Sequence, residues 1–206
     1  MPRLIDISPP ISEAIGVWPG DVPFRRDASL KLEEGAGYAL SSVSTTLHVG
    51  AHADAPSHYV LGGAAIDARP LELYYGPCQV IAVDVARAAR IEPRHVRVPI
   101  EAPRVLFLTG TFPDPNVFST DFASLSPQLV DDLHGKGVVL VGIDTPSVDL
   151  FDDEALLAHH ALARRDMANL EGLVLAHVEP GLYTLVALPL RLTGADASPV
   201  RAALLA

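Results

Sequence analysis

The sequence predicts an α/β fold that is rich in strands and forms one domain over residues 1–206. Short apolar runs clearly outnumber helix signals, and the two kinds do not alternate regularly. This is typical of a mixed sheet and not of a repeated strand–helix unit. Hydrophobic residues make up 49% of the chain and charged residues 19%, which is the balance of a globular protein. A length of 206 residues favours one domain, because domains average about 150 residues.

The predicted strands are short runs rich in Val, Ile and Leu. They cover residues 3–8, 42–48, 78–85, 104–109, 138–143, 172–178 and 182–189. Pro-rich stretches lie between several of them and are typical of turns. The sequence alone does not determine the order of the strands in the sheet.

Two segments carry the start or stop signals of a helix. Ser126 is the residue type of an N-cap and is followed by proline, and Gly135 ends the apolar periodicity. A second helix is predicted from Glu154 to about Arg165, with Asp152 or Asp153 as its cap. Apolar residues recur at helical spacing in both segments.

The charge of the chain excludes several classes of function. Lys and Arg total 15 against 25 Asp and Glu, which gives a net charge of −10, so binding to nucleic acid is not expected. No apolar run reaches the roughly 18 residues of a membrane span, and the first residues lack the pattern of a signal peptide. Cys78 is the single cysteine and is expected to be a small buried residue. We expect a cytoplasmic protein that acts on a small molecule.

Four potential metal ligands lie within one short segment. His48, His52, Asp54 and His58 are all at even positions, so in an extended chain their side chains point to the same side. A glycine and a proline in the segment argue against a helix. Imidazole and carboxylate together suit zinc, manganese or iron(II). The segment therefore predicts a metal site.

A second pair of histidines is a weaker signal. His159 and His160 lie within the predicted second helix, and Glu171 follows His159 by twelve residues. Judged by spacing alone, a helix that ends in a run of charged residues is an ordinary solvated surface. Asp144 and Asp149 follow an apolar strand and are expected to form turns.

The sequence resembles the metal-dependent cyclase family and, within it, the bacterial kynurenine formamidases. Residues 48–58 read His-Val-Gly-Ala-His-Ala-Asp-Ala-Pro-Ser-His, which is similar to the family's His-x-Gly-Thr-His-x-Asp-x-Pro-x-His. The similarity includes Val-Trp-Pro-Gly-Asp at 17–21, Gly-Ile-Asp-Thr-Pro-Ser-Val-Asp at 142–149, and the segment 159–171. It therefore extends over nearly the whole chain. Ala51 departs from the family's threonine at a position that is not a ligand.

The resemblance implies a swivelling β/β/α domain with a site for two divalent metal ions, zinc in the first place and manganese as the alternative. His48, His52 and Asp54 would hold one ion. Asp54 would also bridge to a second ion held by His159 and Glu171. These ligand assignments come from the family's motif.

The resemblance also implies roles for residues that are not ligands. His58 would be the catalytic acid/base, and Trp18 would line the substrate pocket; from the sequence alone, a buried core indole is an equally good interpretation of Trp18. The family's histidine precedes its glutamate by twelve residues, which selects His159 over His160 as the ligand.

The activity implied is hydrolysis of N-formyl-L-kynurenine to L-kynurenine and formate in tryptophan degradation. Hydroxide formed at the metals would attack the formyl amide, since a metal lowers the pKa of water to about 7. The family also implies a homodimer or larger assembly. Two alternatives remain open: a hydrolase of another amide or lactone, such as an isatin-type ring, and a metal-binding protein without catalytic activity.

Overall fold

The computed structural model describes residues 3–206, and strands dominate it. The strands are β1 (Leu4–Asp6), β2 (Arg25–Leu30), β3 (Leu40–Ser44), β4 (His52–Asp54), β5 (Tyr75–Ala82), β6 (Arg90–Ile91), β7 (Arg104–Leu108), β8 (Ser124–Leu125), β9 (Leu140–Ile143), β10 (Ala168–Glu171), β11 (Gly181–Val186), β12 (Ala197–Pro199) and β13 (Ala203–Leu205). The α-helices are α1 (Pro127–Gly135) and α2 (Leu157–Arg164). Short 3₁₀ turns cover Leu32–Glu34, Pro56–His58, Ile66–Ala68, Leu71–Tyr74 and Pro93–His95. The prediction of a strand-rich α/β fold is confirmed.

Nine of these strands form one mixed sheet in the order β1-β13-β11-β5-β7-β9-β10-β4-β12. The central strands β5, β7, β9 and β10 run parallel, and the strands on both sides of them pair antiparallel. The two strands in the middle, β7 and β9, are almost continuously apolar because a strand buried on both faces has no solvent side, whereas β10 carries Asn169 and Glu171. No helix within residues 3–206 is long and apolar enough to cross a membrane.

The two faces of the sheet bury different cores. Successive residues of a strand point to opposite faces: Leu106 belongs to one cluster of buried side chains, and Val105 and Phe107 belong to the other. Both helices cover the second face, where Leu133 of α1 and Leu162 of α2 are fully buried. The helices therefore leave the first face to turns and loops.

The first helix follows its prediction closely. The Ser126 side chain accepts a hydrogen bond of 3.1 Å from the backbone N–H of Leu129, so Ser126 is the N-cap. The second helix begins at Leu157, three residues later than predicted, because Leu156 has a φ of 48° and interrupts the helical geometry. Asp153 accepts a hydrogen bond from the Leu157 N–H, so Asp153 and not Asp152 caps this helix.

The strand predicted at 172–178 is wrong, and the strand predicted at 42–48 is correct only in part. Residues 172–178 form turns, and the strand lies just before them, in β10. Gly172 has a φ of 64°, and a Cβ at this position would lie 2.1 Å from the carbonyl oxygen of Gly50. The chain bends there because only glycine permits both the conformation and the close approach. The strand predicted at 42–48 ends at Ser44, before the histidine segment begins.

Strands β2 and β3 form a separate two-stranded sheet. Every residue of β3 is exposed, and β2 is mostly exposed. This hairpin lies outside the nine-stranded sheet and contributes no buried side chain to either core. The side chains singled out at 48–58 and 159–171 instead meet at β4 and β10, near one edge of the large sheet.

Candidate metal centre and substrate cavity

The short strand β4 brings together two segments that are distant in the sequence. It lies between β10 and β12, with His52 opposite Glu171 in one ladder and Asp54 opposite Ala197 in the other. Directly opposed residues in an antiparallel pair have side chains on the same face, about 5 Å apart. His52 and Asp54 are two residues apart and share a face for the same reason. Strand pairing alone thus places His52, Asp54 and Glu171 together.

The second helix adds His159 to this group. Its Nε2 atom lies 3.3 Å from Asp54 Oδ2 and 3.3 Å from Glu171 Oε1. His159 is only 3% exposed, whereas the side chain of its neighbour His160 is exposed. The structure therefore brings His159 and not His160 to the group.

His48 approaches from the loop before β4. Its Nδ1 atom lies 2.9 Å from Asp54 Oδ1. The prediction that the four even-numbered ligand candidates converge is correct, but its reason holds for only two of them. His52 and Asp54 lie in a strand, while His48 lies in a loop and His58 in the 3₁₀ turn that follows. We call His48, His52, Asp54, His159 and Glu171 the ligand cluster.

The remaining ring nitrogen of each clustered histidine is held by an acceptor. His52 Nδ1 lies 2.9 Å from the Gly50 carbonyl oxygen. His159 Nδ1 lies 2.9 Å from Asp149 Oδ2, and His48 Nε2 lies 3.1 Å from an Asp196 oxygen.

Carbonyl and carboxylate oxygens only accept hydrogen bonds, so these three nitrogens must be the donors. The other nitrogen of each ring then faces the carboxylates of the ligand cluster. A neutral imidazole would present a lone pair to those carboxylates, which is repulsive. A cation between nitrogen and carboxylate, either a proton or a metal ion, removes the repulsion.

The two carboxylates of the ligand cluster are deeply buried, with Asp54 2% and Glu171 4% exposed. Burial raises the pKa of Asp54, but the neighbouring His159 and His48 outweigh it and hold that pKa well below its usual range. Burial and the Asp54 charge raise the pKa of Glu171, yet His159 and His52 leave it lowered overall. The Asn169 amide donates hydrogen bonds of 2.8 Å to Asp54 and 3.1 Å to Glu171. Both carboxylates are therefore ionised.

The pKa values of the histidines shift in the opposite direction. Burial lowers the pKa of His48, but the carboxylates of Asp54 and Asp196 outweigh it and raise that pKa to about 9. Burial also lowers the pKa of His159, and the carboxylates of Asp149 and Asp54 raise it well above its ordinary value. Strong attraction for positive charge is thus a property of the ligand cluster.

The donor set suits a metal ion. Three groups of three side chains each offer ligand atoms within 4.8 Å of one another. Two of them make up the ligand cluster, namely His48, His52 and Asp54, and Asp54, His159 and Glu171; the third is His48, His58 and Asp196. His52 Nε2 and Asp54 Oδ1 are buried without a hydrogen-bond partner, although buried polar atoms normally have one. Imidazole and carboxylate are ligands of zinc and related ions. The unpaired atoms are those that a metal ion would satisfy.

His58 lies beside the ligand cluster and belongs only to the third group, with His48 and Asp196. Its ring is 4.2 Å from the ring of His48 and 6.0 Å from that of His159, between centroids. Its side chain is 35% exposed, and burial lowers its pKa. His58 therefore combines access to solvent with proximity to the cluster.

An aromatic wall faces the ligand cluster across a cavity of about 540 Å³. It is formed by the three aromatic side chains Trp18, Phe112 and Phe118. Phe151 stacks on Trp18 with ring centroids 4.9 Å apart, and Phe118 meets Trp18 edge to face at 5.6 Å. Trp18 is half-buried, so the structure places it both in an aromatic cluster and at the cavity.

A tight turn positions the indole of Trp18. The N–H of Asp21 donates a 2.9 Å hydrogen bond to the carbonyl of Trp18. Gly20 between them has a φ of 94°. Proline followed by a glycine with positive φ is the pattern of a type II turn. The Pro-Gly turn after Trp18 therefore fixes the backbone beside the residue that carries the indole.

Sequence reasoning missed three residues that support the ligand cluster, namely Asp149, Asn169 and Asp196. Asp149 was expected to form a turn, but its carboxylate accepts hydrogen bonds from the N–H groups of Ala158 and His159 and from the His159 ring. Asp149 thus caps the first turn of α2 and also orients the His159 ring. Asn169 is two residues before Glu171, and this spacing was the one available signal. The expectation that Asp144 forms a turn is closer to the structure, because its carboxylate accepts hydrogen bonds from the N–H groups of Thr109 and Gly110 in a turn.

The sequence profile of the cyclase family matches residues 5–150. The chain belongs to the cyclase family. Kynurenine formamidase from Bordetella petrii is 45% identical to it over 207 residues, which cover 99% of this chain and 98% of that protein. The family resemblance predicted from the motifs is therefore confirmed.

Solved structures agree with this assignment. A structure described as a potential metal-dependent hydrolase with cyclase activity has a TM-score of 0.85 at 28% identity, covering all of this chain and 98% of its own. Isatin hydrolase A from Labrenzia aggregata has a TM-score of 0.82 at 22% identity, covering 99% of this chain and 93% of its own. The likeness to the isatin hydrolase shows the shared fold.

Proposed function

We propose that this member of the cyclase family is an arylformamidase that hydrolyses N-formyl-L-kynurenine to L-kynurenine and formate. The observation that carries the proposal is the cavity itself, with a buried His/carboxylate cluster on one side and an aromatic wall on the other. Full-length identity of 45% to kynurenine formamidases supports this substrate over others.

The proposed ligands follow the two groups of side chains. His48, His52 and Asp54 would hold one divalent ion, and Asp54 would also bind a second ion together with His159 and Glu171. We propose Zn²⁺ for both ions, with Mn²⁺ as the alternative. Metal ions bound here would lower the pKa of a bound water molecule and polarise the formyl carbonyl. The buried, preset orientation of the histidines is what supports this assignment.

His58 is the proposed acid/base. It takes a proton from the water that adds to the formyl carbon, and gives it to the aniline nitrogen as the C–N bond breaks. An imidazole suits both roles because its ordinary pKa, about 6.5, allows gain and loss of a proton near neutral pH. The position of His58 beside the ligand cluster, with access to solvent, supports the role.

The aromatic wall is the proposed site for the aryl ring of the substrate. Trp18 and Phe118 present apolar ring surface to the cavity, and an aromatic pair contributes about 0.5–1.5 kcal/mol beyond the burial of area. We also propose that residues 1–206 act as one catalytic domain and, on the family resemblance, that the chain forms a homodimer or larger assembly.

The test combines metal analysis with formate release. Purified protein is expected to contain about two divalent ions per chain, to lose formate release with a chelator, and to recover it with Zn²⁺ or Mn²⁺. His58→Ala is expected to keep its metal and lose turnover. A strong preference for isatin or another ring amide would overturn the substrate assignment. Metal binding without turnover of any amide would instead identify a non-catalytic metal-binding protein.

A further inference from the structure

Asp196 occupies a fixed position between two segments of the site. Its carbonyl accepts a 2.8 Å hydrogen bond from the N–H of Ala55, and the next residue, Ala197, pairs with Asp54 in the β12–β4 ladder. The carbonyl of the preceding residue, Ala195, accepts a hydrogen bond from Ile66. The backbone of Asp196 is therefore held on both sides against the segment that carries Asp54 and His58.

One oxygen of Asp196 lies between two histidine rings. Asp196 Oδ2 is 3.1 Å from His48 Nε2 and 3.6 Å from His58 Nδ1. The two rings are themselves 4.2 Å apart between centroids. At 3.6 Å the contact with His58 is longer than a hydrogen bond, so Asp196 acts on this ring through its negative charge, which favours the tautomer with the proton on Nδ1. The other nitrogen, Nε2, is then free to take a proton from water.

We propose that Asp196 is a positioning residue that holds His58 in the tautomer and orientation needed for proton transfer. This inference rests on the proposed function. A carboxylate behind a histidine fixes the ring and stabilises the imidazolium formed when the ring takes a proton, as in the Ser-His-Asp arrangement of hydrolases. Asp196 is 47% exposed at its side chain, so its effect is smaller than that of a buried carboxylate.

A third cation bound by His48, His58 and Asp196 is the competing interpretation, since these side chains also offer atoms within 4.8 Å. The structure favours a proton over a metal ion between these three side chains. His48 Nδ1 already faces Asp54, and a neutral imidazole has only one nitrogen free to bind a metal. That leaves His58 and Asp196, both partly exposed.

The test uses Asp196→Asn, which keeps the shape of the side chain and removes its charge. Asp67→Asn is the matched control, because Asp67 accepts a hydrogen bond from Gly194 in the same loop and lies away from the histidines. We expect Asp196→Asn to lower kcat for N-formyl-L-kynurenine about 10–100-fold, the range found for partners of functional histidines. KM is expected to change less than about threefold, and Asp67→Asn to match the wild type.

Two further measurements separate positioning from a structural role. An aryl formate ester such as 4-nitrophenyl formate, corrected for spontaneous hydrolysis, has a leaving group that departs without a proton. Asp196→Asn should therefore lose much less activity on the ester than on the anilide. In a His58→Ala background, Asp196→Asn should cause no further loss. With the divalent metal ion in excess, the number of metal ions per chain should be the same in all variants.

The opposite results would overturn the inference. An additional loss in the His58→Ala background, or a fall in metal content, would mean that Asp196 acts through His48. Loss of one metal ion in both Asp196→Asn and His58→Ala would identify a third cation site. If the wild type instead prefers another amide, the proposed function fails separately, and the same comparison of variants is made on that amide.

Discussion

The ligand cluster and the aromatic wall face each other across one cavity but are built in different ways. In the ligand cluster, directed contacts from strands, a helix and a loop fix each side chain, and the carboxylates are almost completely buried. The aromatic wall lies on loops and is fixed by packing between rings. Directed contacts fail abruptly when one atom is changed, whereas packing tolerates partial replacement. Substitutions on the two sides should therefore differ in size and in kind.

The largest effect is expected for Asp54→Asn. Asp54 belongs to both groups of ligand side chains, so the change should release metal from the whole cluster. Loss of several kcal/mol of electrostatic stabilisation corresponds to about a 1,000-fold or greater fall in kcat/KM. Metal analysis and formate release measure it. The surface variant Asp132→Asn is the control. Full metal content in Asp54→Asn would contradict the assignment of Asp54 as a metal ligand.

Asp149→Asn should have an intermediate effect. The amide cannot hold His159 and the first turn of α2 as the carboxylate does, so metal affinity should fall about 10–100-fold. Competition with a chelator measures this affinity. Asp153→Asn is the matched control, because Asp153 caps the same helix without contacting His159. Equal losses in both variants would assign the effect to the helix cap.

On the other side of the cavity, Trp18→Ala should raise KM by at least about 2–13-fold and change kcat little, because the loss of an aromatic contact of about 0.5–1.5 kcal/mol adds to the loss of buried ring area. Trp18→Phe should restore most of the affinity. Steady-state kinetics with N-formyl-L-kynurenine tests both variants. A fall in kcat at unchanged KM would show that the aromatic wall acts on the reaction and not on binding.

The smallest effect is expected for His160→Ala. His160 is exposed while its neighbour His159 is buried in the ligand cluster. Turnover and metal content of His160→Ala should stay within about twofold of the wild type, as for most surface substitutions. His159→Ala should lose both. The reverse pattern would assign the metal-ligand role to His160 and not to His159.

The sequence predicted the parts of the site that are close together in the chain. The segment 48–58 was found from residue types and spacing, and the first helix from Ser126 and Gly135. The weaker signal at His159 and Glu171 became interpretable only through the family's motif. Asp149 and Asp196 were missed as partners because each contacts a histidine from a different part of the chain. Residues 172–178 were placed in a strand because their apolar side chains are buried although their backbone turns.

Residue types and short spacings were enough to predict that the chain folds as a strand-rich α/β protein, that His48, His52, Asp54 and His58 lie near one another, and which family it resembles. These are local properties, set by residue type and short spacing. The three-dimensional structure was needed to show that Glu171 lies opposite His52 and which nitrogen of each histidine faces the carboxylates. Strand pairing and hydrogen bonds across the chain fix those features, and no local pattern encodes them.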